Sequence, residues 1–251
     1  MQKKAIIIGA SSGIGLAMAQ ALAQEGYKIG VAARRCEPLK ELQEQFGAEN
    51  VAIEAMDVLQ PSATVALDAL LDKVSEPELF LYVSGKGGQN PELYEKLELD
   101  IIRTNCEGMA RVVDHFVNYV KSRKLYTDKH RAHIAIVTSV AGTTGMGSAP
   151  AYSASKKMQS TYISALSQLA RMEKVPVRFS DIRPGFVATE ILNPEKKYPM
   201  VMTCEQAVNH IQRGLRRGKR IIIFDWRFKL LVLFWRLIPR PIWERITFIK
   251  N

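Results

Sequence analysis

The residues that most clearly suggest chemistry are a tyrosine and a lysine four positions apart, Tyr152 and Lys156. They open a predicted helix over residues 152–172, and side chains four apart lie on the same face of a helix. A free tyrosine has a pKa of ~10 and seldom ionises near neutral pH. A neighbouring ammonium favours the phenolate, so the pair is suited to proton transfer. Taken alone, this spacing also occurs by chance in many helices.

A glycine-rich segment over residues 9–15 reads Gly-Ala-Ser-Ser-Gly-Ile-Gly. It lies between a predicted strand over residues 5–8 and a predicted helix over residues 14–24. Glycines there permit a tight turn and close approach to a phosphate. The helix N-terminus adds free N–H groups and a partial positive charge. The segment therefore predicts a site for the pyrophosphate of a dinucleotide. An ordinary glycine-rich turn is the alternative.

The spacing of these glycines, G-x-x-x-G-x-G, resembles that of the short-chain dehydrogenase/reductase family. It differs from the G-x-G-x-x-G of other dinucleotide folds. The resemblance covers nearly the whole chain up to about residue 224. It implies an oxidoreductase that transfers hydride reversibly between a nicotinamide cofactor and an alcohol or carbonyl compound. The cofactor contacts implied in this loop are Gly9, Ser11, Ser12, Gly13, Ile14 and Gly15.

The same resemblance implies a catalytic set of four residues. Tyr152 and Lys156 match the Y-x-x-x-K motif, in which the tyrosine is the acid/base and the lysine lowers its pKa and holds the nicotinamide ribose. Ser139 corresponds to the hydroxyl that binds the substrate carbonyl, and Asn105 to the residue that holds a water for proton relay. The rival interpretation is a non-catalytic NADP(H)-binding regulatory or scaffold protein, and the complete set argues against it.

The end of the second predicted strand bears on the choice of cofactor, because the adenosine ribose should lie there. Arg34 and Arg35 follow this strand where an acidic residue would be needed to pair with a free 2′-hydroxyl. Two guanidinium groups can hold a phosphate by paired hydrogen bonds. The sequence therefore favours NADP(H) over NAD(H). The alternative is that both arginines are exposed charges at the start of a loop.

The resemblance implies further cofactor contacts in the later loops. Asp57 corresponds to a residue that contacts the adenine, and a charge in a turn or at a helix start is the alternative role. The usual Asn-Asn-Ala-Gly motif is replaced by Tyr-Val-Ser-Gly over residues 82–85, which puts the local contacts in doubt. Outside the first loop and the arginine pair, the implied contacts are Asp57, Val58, Ser84, Gly85, Tyr152, Lys156, Pro184, Gly185, Val187 and Thr189.

Predicted strands and helices alternate along the chain. The strands are predicted at 5–8, 29–33, 51–55, 79–84, 133–138, 177–182 and 220–224. The helices are predicted at 14–24, 38–46, 61–74, 99–120, 152–172 and 204–215. This alternation predicts an α/β fold, a single doubly wound Rossmann-type parallel sheet with helices on both faces. A chain of 251 residues suits one such domain over residues 1–224.

Several function classes find no support in the composition. The three cysteines are scattered and the four histidines follow no ligand spacing, so we expect neither a disulfide framework nor a metal site. The N-terminal apolar run is too short for a signal peptide, and no apolar stretch is long enough to span a membrane. We therefore expect a cytoplasmic protein that acts on a small molecule as a homo-oligomer.

A lid and a tail complete the predicted organisation. Residues 190–202 correspond to the family's substrate lid, and their apolar side chains suggest the wall of an apolar or lipid-like substrate pocket, although simple loop packing explains any one of them equally well. These side chains are Ile191, Leu192, Met200, Val201 and Met202.

The tail over residues 225–251 contains all three tryptophans and many apolar residues. The net charge of +10 is concentrated near it, because residues 211–251 hold eleven of the Lys and Arg residues and only two acids. A basic segment rich in Trp and Leu suits an anionic membrane surface, and the chain would then be membrane-associated. Packing on its own domain or on a sister subunit is the other explanation. Nucleic acid is a third, but no recognition motif supports it.

Overall fold

The computed structural model describes residues 2–124, 126–192, 195 and 198–247, and strands alternate with helices throughout. The strands are β1 (Lys4–Ile8), β2 (Lys28–Ala33), β3 (Val51–Ala55), β4 (Leu79–Tyr82), β5 (Ala132–Val137), β6 (Val177–Arg183) and β7 (Ile221–Ile223). The α-helices are α1 (Gly13–Gln24), α2 (Glu37–Phe46), α3 (Ala63–Val74), α4 (Glu95–Ile102), α5 (Gly108–Ser122), α6 (Pro150–Met172), α7 (Cys204–Arg216), α8 (Trp226–Leu237) and α9 (Arg240–Trp243).

The strands form one parallel sheet in the order β3-β2-β1-β4-β5-β6-β7, which confirms the predicted doubly wound fold. The carboxyl ends of all the strands therefore meet at one edge. The direction of winding reverses between β1 and β4, and ligands of open α/β sheets bind at such a point. The loops that carry the predicted site residues all follow strands at this edge.

The core lies on both faces of the sheet, because parallel strands are covered on both sides. All six residues of β5 are buried, as a strand inside such a sheet requires. One apolar layer joins the sheet to α3, α5 and α6, and the other joins it to α1, α2 and α7. A third, smaller cluster is built around Val140, Phe228 and Val232.

The long helix predicted over residues 99–120 begins earlier and is interrupted. It starts at Glu95, and acidic residues in its first turn, Glu95 and Glu98, favour that start through the helix dipole. A π-helical segment, Arg103–Glu107, then separates α4 from α5. Single π-helical turns are rare and often mark functional sites. This one contains Asn105.

Other predicted boundaries are close to the observed ones. The third helix begins at Ala63 instead of residue 61, and the last strand begins at Ile221 instead of residue 220. The predicted end of the fourth strand at residue 84 is wrong, because β4 ends at Tyr82. Ser84 and Gly85 consequently belong to the loop at the carboxyl edge.

The C-terminal tail is helical and packs partly on the domain. Phe228 and Val232 of α8 are buried, and the indole Nε1 of Trp243 donates a hydrogen bond to the carbonyl of Gly145 at 2.8 Å. Packing on its own domain therefore accounts for this face of the tail. Residues 248–251 lie outside the described residues. None of the described helices is both long and apolar enough to cross a bilayer.

Candidate active site at the carboxyl edge of the sheet

The glycine-rich loop is packed so tightly that two of its glycines have no room for a side chain. Gly9 has a φ of +92°, and a Cβ there would lie 2.5 Å from the backbone nitrogen of Ser84. A Cβ on Gly15 would lie 2.0 Å from the carbonyl oxygen of Gly9. Gly15 therefore lets α1 approach the end of β1, and its implied contact with the cofactor stays a prediction.

The remaining residues of the loop leave the start of α1 available to an anion. Ser12 is the N-cap residue of α1 and its side chain caps no backbone N–H. Gly13 has a φ of +55° and faces the Thr189 side chain, whose methyl carbon would lie 3.0 Å from a Cβ. Ser11 is half-buried beside them, whereas the Ile14 side chain belongs to the core. Free N–H groups at a helix start fit a pyrophosphate.

The two predicted phosphate-binding arginines differ in their contacts. Arg34 and Arg35 are both exposed, and Arg35 forms an ion pair with Glu190 of the lid at 3.0 Å. The other contact of the Glu190 carboxylate is with the Ser12 hydroxyl at 3.4 Å. An acid from the lid thus occupies Arg35 and reaches the glycine-rich loop. Exposed ion pairs contribute little stability, about 0–1 kcal/mol, so a phosphate can displace this one.

Asp57 and Val58 have structural partners of their own. One carboxylate oxygen of Asp57 accepts a hydrogen bond from the backbone N–H of Leu59 at 3.1 Å, as a turn residue does. The Val58 side chain is buried against Gly108, and its carbonyl accepts from Arg111 at 2.8 Å. The side chain of Val58 is therefore a core residue, and only one oxygen of Asp57 is committed to the turn.

Tyr152 and Ser139 face each other where β5 and α6 meet. Burial raises the pKa of the Tyr152 phenol, and this outweighs the lowering effect of a hydrogen bond with Ser139. The Ser139 hydroxyl also accepts from the backbone N–H of Ala141 at 3.1 Å, which fixes its direction. The lowered pKa predicted for Tyr152 is wrong for this structure, because removing the phenol from water disfavours the charged form.

Lys156 is buried one helical turn after Tyr152. Its ammonium donates a hydrogen bond to the carbonyl of Val137 at 3.2 Å and lies 5.8 Å from the centroid of the Tyr152 ring. Burial lowers the pKa of Lys156 to about 8, although the charge of Asp181 acts in the opposite direction. The residue therefore carries its charge at neutral pH at a cost in stability.

The buried charge of Lys156 predicts that the free energy of unfolding depends on pH. Below pH 8 Lys156 is charged in both states, but its charged form is less favourable in the folded chain, which lowers the free energy of unfolding. This penalty disappears as the pH rises towards 10.5. Such a shift corresponds to about 3 kcal/mol. The variant Lys156→Met also loses one hydrogen bond, of about 1 kcal/mol. We therefore expect it to be about 2 kcal/mol more stable than the wild type near neutral pH.

Urea unfolding near neutral pH and at about pH 9.5 measures this difference, which should shrink by about 2 kcal/mol at the higher pH. The exposed neighbour provides the control, since Lys157→Met removes the same charge from water and should show no such dependence on pH. A Lys156→Met variant that is less stable than the wild type by the same amount at both pH values would contradict the account.

Asn105 is completely buried and all its groups have protein partners. Its side-chain oxygen accepts from the backbone N–H of Lys86 at 2.8 Å, and its amide nitrogen donates to the carbonyl of Lys86 and to the Ser155 hydroxyl, each at 2.9 Å. Its backbone carbonyl accepts from the Gln159 side chain at 2.8 Å. Through these hydrogen bonds Asn105 connects α6 to the loop after β4. Its implied water-holding role stays a prediction.

The hydrogen bonds of Asn105 explain how the loop after β4 is held without the usual asparagines. A Cβ on Gly85 would lie 3.2 Å from the Asn105 side-chain oxygen and 3.4 Å from the Lys156 ammonium nitrogen. Gly85 therefore lies directly against two members of the predicted catalytic set. The backbone N–H of Ser84 donates to the carbonyl of Ile8, which ties the loop to the end of β1.

The segment after β6 combines one residue that faces the site with several that pack. Thr189 faces Gly13, as described above. The carbonyl of Pro184 accepts from the backbone N–H of Val140, and Val187 is buried and bridges to Met202. A Cβ on Gly185 would lie 2.3 Å from the Phe228 ring. The tail helix thus requires this glycine, and the implied cofactor contact of Gly185 is not needed to explain it.

Some residues of the predicted lid pack on the domain, and others lie near the site. Met202 belongs to the core and Met200 packs against the small cluster around Phe228, so packing accounts for both. Ile191 approaches Gly87, whose missing Cβ would also lie 3.2 Å from the Tyr152 ring. Of the lid residues, 193, 194, 196 and 197 lie outside the described residues.

A cavity of about 640 Å³ lies between α1 and the lid. Two of the predicted apolar residues, Leu192 and Val201, line it. Tyr152 and Ser139 do not. Its lining residues are Gly13, Leu16, Ala17, Gln20, Ala188, Thr189, Glu190, Leu192, Tyr198, Val201 and Cys204.

Sequence reasoning missed four residues that support the site. Asp181 is buried, accepts a hydrogen bond from Thr138 at 2.5 Å and pairs with Arg183, and its charge acts on Lys156. Ser155 and Gln159 hold Asn105, and Glu190 holds Arg35. An acid inside a predicted strand was a signal for Asp181, whereas nothing local distinguishes the other three.

Comparison with known proteins agrees with this geometry. The family model described as short chain dehydrogenase matches residues 3–199. A protein of Myxococcus xanthus named "Uncharacterized oxidoreductase" is 30% identical over 96% of this chain and 95% of its own. A putative ketoacyl reductase of Streptomyces coelicolor is 32% identical over 74% of this chain and 70% of its own.

Among solved structures, a short chain dehydrogenase/reductase from Burkholderia phymatum in complex with NAD has a TM-score of 0.78. It is 22% identical and the match covers 92% of both chains. The fold, the family model and the curated relatives all agree, and the chain belongs to the short-chain dehydrogenase/reductase family of oxidoreductases.

Proposed function

We propose that this oxidoreductase transfers hydride reversibly between NADP(H) and a carbonyl compound. The observation that carries the proposal is the meeting of three groups at one edge of the sheet. The phenol of Tyr152 faces the Ser139 hydroxyl, and the Lys156 ammonium lies one helical turn away. The Gly13–Thr189 contact lies at the same edge and leaves the start of α1 open to a phosphate.

The residues of the chain divide the work of the reaction. Bound NADPH would supply hydride to the carbonyl carbon. Tyr152 donates its proton to the carbonyl oxygen, and its raised pKa keeps that proton available at neutral pH. Ser139 donates a hydrogen bond to the same oxygen. Lys156, charged below a pKa of about 8, would hold the ribose of the cofactor. Asn105 keeps the helix and the loop after β4 in register.

The preference for NADP(H) rests on Arg34 and Arg35, which lie at the end of β2 where an acid would favour NAD(H). Glu190 neutralises Arg35 without cofactor, and a 2′-phosphate carries more charge than one carboxylate. The phosphate is therefore expected to take over the guanidinium. The structure of the Burkholderia relative contains NAD, so this preference belongs to the present chain's own residues.

An apolar substrate is the second part of the proposal. Leu192 and Val201 line the cavity beside α1, and Ile191 and Tyr152 both lie beside Gly87. The Streptomyces relative is named a ketoacyl reductase, which acts on a carbonyl group of an acyl chain. The tail adds a route to such substrates, because we propose that α8 docks on an anionic membrane beside the site.

A screen of NADPH oxidation tests the proposal. The purified chain is incubated with NADPH and with aldehydes, ketones and β-keto acyl compounds of increasing chain length, and the loss of NADPH fluorescence is followed. We expect turnover that rises with chain length. If no carbonyl compound in the series is reduced while NADPH still binds, the scaffold interpretation replaces the reductase.

A further inference from the structure

A basic cleft lies where α7, β7 and α8 meet. It encloses about 560 Å³. Its wall contains five lysines and arginines and a single acid. The residues that line it are His210, Arg213, Gly214, Arg217, Lys219, Ile221, Ile222, Ile223, Phe224, Asp225, Trp226, Arg227 and Lys229.

Most of the positive charge in this cleft is uncompensated within the described residues. Asp225 is the N-cap residue of α8 and is paired with Arg227 at 2.5 Å. Arg213, Arg217, Lys219 and Lys229 are exposed and form no ion pair with any acid in the described part of the chain. Four unpaired cations around one cleft repel each other, and a bound anion would relieve this repulsion.

The cleft opens beside an apolar surface. Five large apolar side chains of α8 follow one face of the helix and are 44–69% exposed, namely Trp226, Leu230, Leu233, Phe234 and Leu237. Trp226 belongs to both features, because it also lines the cleft. An apolar helix face bordered by cations is the pattern of a helix that lies in a membrane interface.

We propose that the cleft binds the phosphate of an anionic phospholipid headgroup while the exposed face of α8 enters the acyl region beside it. This inference rests on the proposed membrane docking and names the site that would bind the headgroup. Vesicle binding can be measured without any reductase activity. Phosphate suits the arginines of the cleft because guanidinium groups bind it by paired hydrogen bonds. A bilayer is the only phosphate source that would also cover the apolar face.

With the exposed face of α8 in the membrane, the proposed reductase site lies close to the bilayer. The opposite face of α8 packs against Gly185, and Trp243 of α9 bonds to Gly145 in the loop that follows Ser139. The tail therefore packs against the segment after β6 and the loop that follows Ser139. An apolar substrate could then pass from the bilayer to Tyr152 without crossing much water.

Vesicle co-sedimentation tests this site. The full chain is mixed with phosphatidylcholine vesicles that contain or lack phosphatidylglycerol, at low and high salt. The double variant Arg213→Gln/Arg217→Gln should bind the anionic vesicles about 25-fold more weakly, since each cation near such a surface contributes a factor of about five. Lys129→Gln/Arg171→Gln loses the same charge from exposed positions outside the cleft and should bind like the wild type.

Four results would overturn the proposal. Equal weakening by the control pair would mean that net charge alone attracts the protein. Binding of millimolar inorganic phosphate in the cleft, without any binding to anionic vesicles, would make a free phosphate compound the occupant. Failure of the wild type to bind anionic vesicles, with a dimer that separates in Leu233→Ser/Phe234→Ser, would mean that a second copy covers α8. Failure to bind without any dimer would leave the cleft without the proposed ligand.

The reductase assay with a short water-soluble ketone separates the two proposals. The cleft variant should keep the wild-type rate on this substrate, because none of its changed residues belongs to the catalytic set. Vesicle binding without reductase activity would refute only the proposed function. Activity without vesicle binding would refute the headgroup site and the membrane docking of α8, but not the reductase.

Discussion

Replacing Tyr152 by phenylalanine should lower the rate of carbonyl reduction by about 10²–10⁴-fold, which is the usual contribution of a positioned general acid. The change removes one hydroxyl and its transferable proton. The ring remains and continues to fill the space between Gly87 and α6, so the fold and the affinity for NADPH should stay near those of the wild type. Steady-state rates and a cofactor titration on the same preparation measure both effects.

Tyr162→Phe is the matched control for this variant. Tyr162 lies on the same helix, and its hydroxyl donates a hydrogen bond to Asp114 at 2.7 Å, away from the catalytic set. Its loss should alter stability but leave the rate of reduction unchanged. If both variants reduce the substrate at the wild-type rate, Tyr152 is not the acid and the proposed mechanism is wrong.

The second large effect concerns the choice of cofactor. We expect NADPH to bind more tightly than NADH, and Arg34→Ala/Arg35→Ala to narrow the difference by at least tenfold. A charge-assisted hydrogen bond contributes about 1.5–3 kcal/mol, which corresponds to a factor of about 10–100 for each contact. Cofactor fluorescence titrations of the wild type and the variant with both nucleotides give the four dissociation constants.

Glu190→Gln refines the same experiment, because it removes the carboxylate that holds Arg35 without removing the guanidinium. This variant should bind NADPH a few-fold more tightly and change little towards NADH, as expected for an exposed pair. Arg171→Ala, on the exposed surface of α6, controls for loss of charge. Equal affinity of the wild type for the two nucleotides would refute the predicted preference.

Much of the architecture could be predicted from local patterns. The apolar runs that became β1 and β5 are buried strands of a parallel sheet, and their alternation with helices is sufficient to predict the doubly wound fold. The loops that follow these strands must share one edge. For this reason Gly13, Ser139 and Thr189, far apart in the chain, could be expected to meet.

The remaining features depend on contacts between distant parts of the chain. The π-helical segment at Asn105 is stabilised by a hydrogen bond from Gln159, more than fifty residues away. The tail packs because Gly185 leaves room for the Phe228 ring. Neither partner is recognisable from its own surroundings in the sequence.

The pKa of Tyr152 has a similar explanation. The spacing to Lys156 suggested a lowered value, because a nearby cation stabilises the phenolate. Burial of the phenol is decided by the loop and the lid that pack around it, and this effect is the larger one. The direction of the shift therefore required the folded structure.

Transfer of an isotope label tests the central claim, hydride transfer with Tyr152 as the proton donor, most directly. NADPH carrying deuterium at the transferred position of the nicotinamide is incubated with the protein and a substrate identified in the screen, and the alcohol is analysed by mass spectrometry. The account predicts one deuterium on the carbinol carbon with the wild type and almost none with Tyr152→Phe in the same time. Alcohol formed without deuterium, or label transferred equally well by Tyr152→Phe, would contradict it.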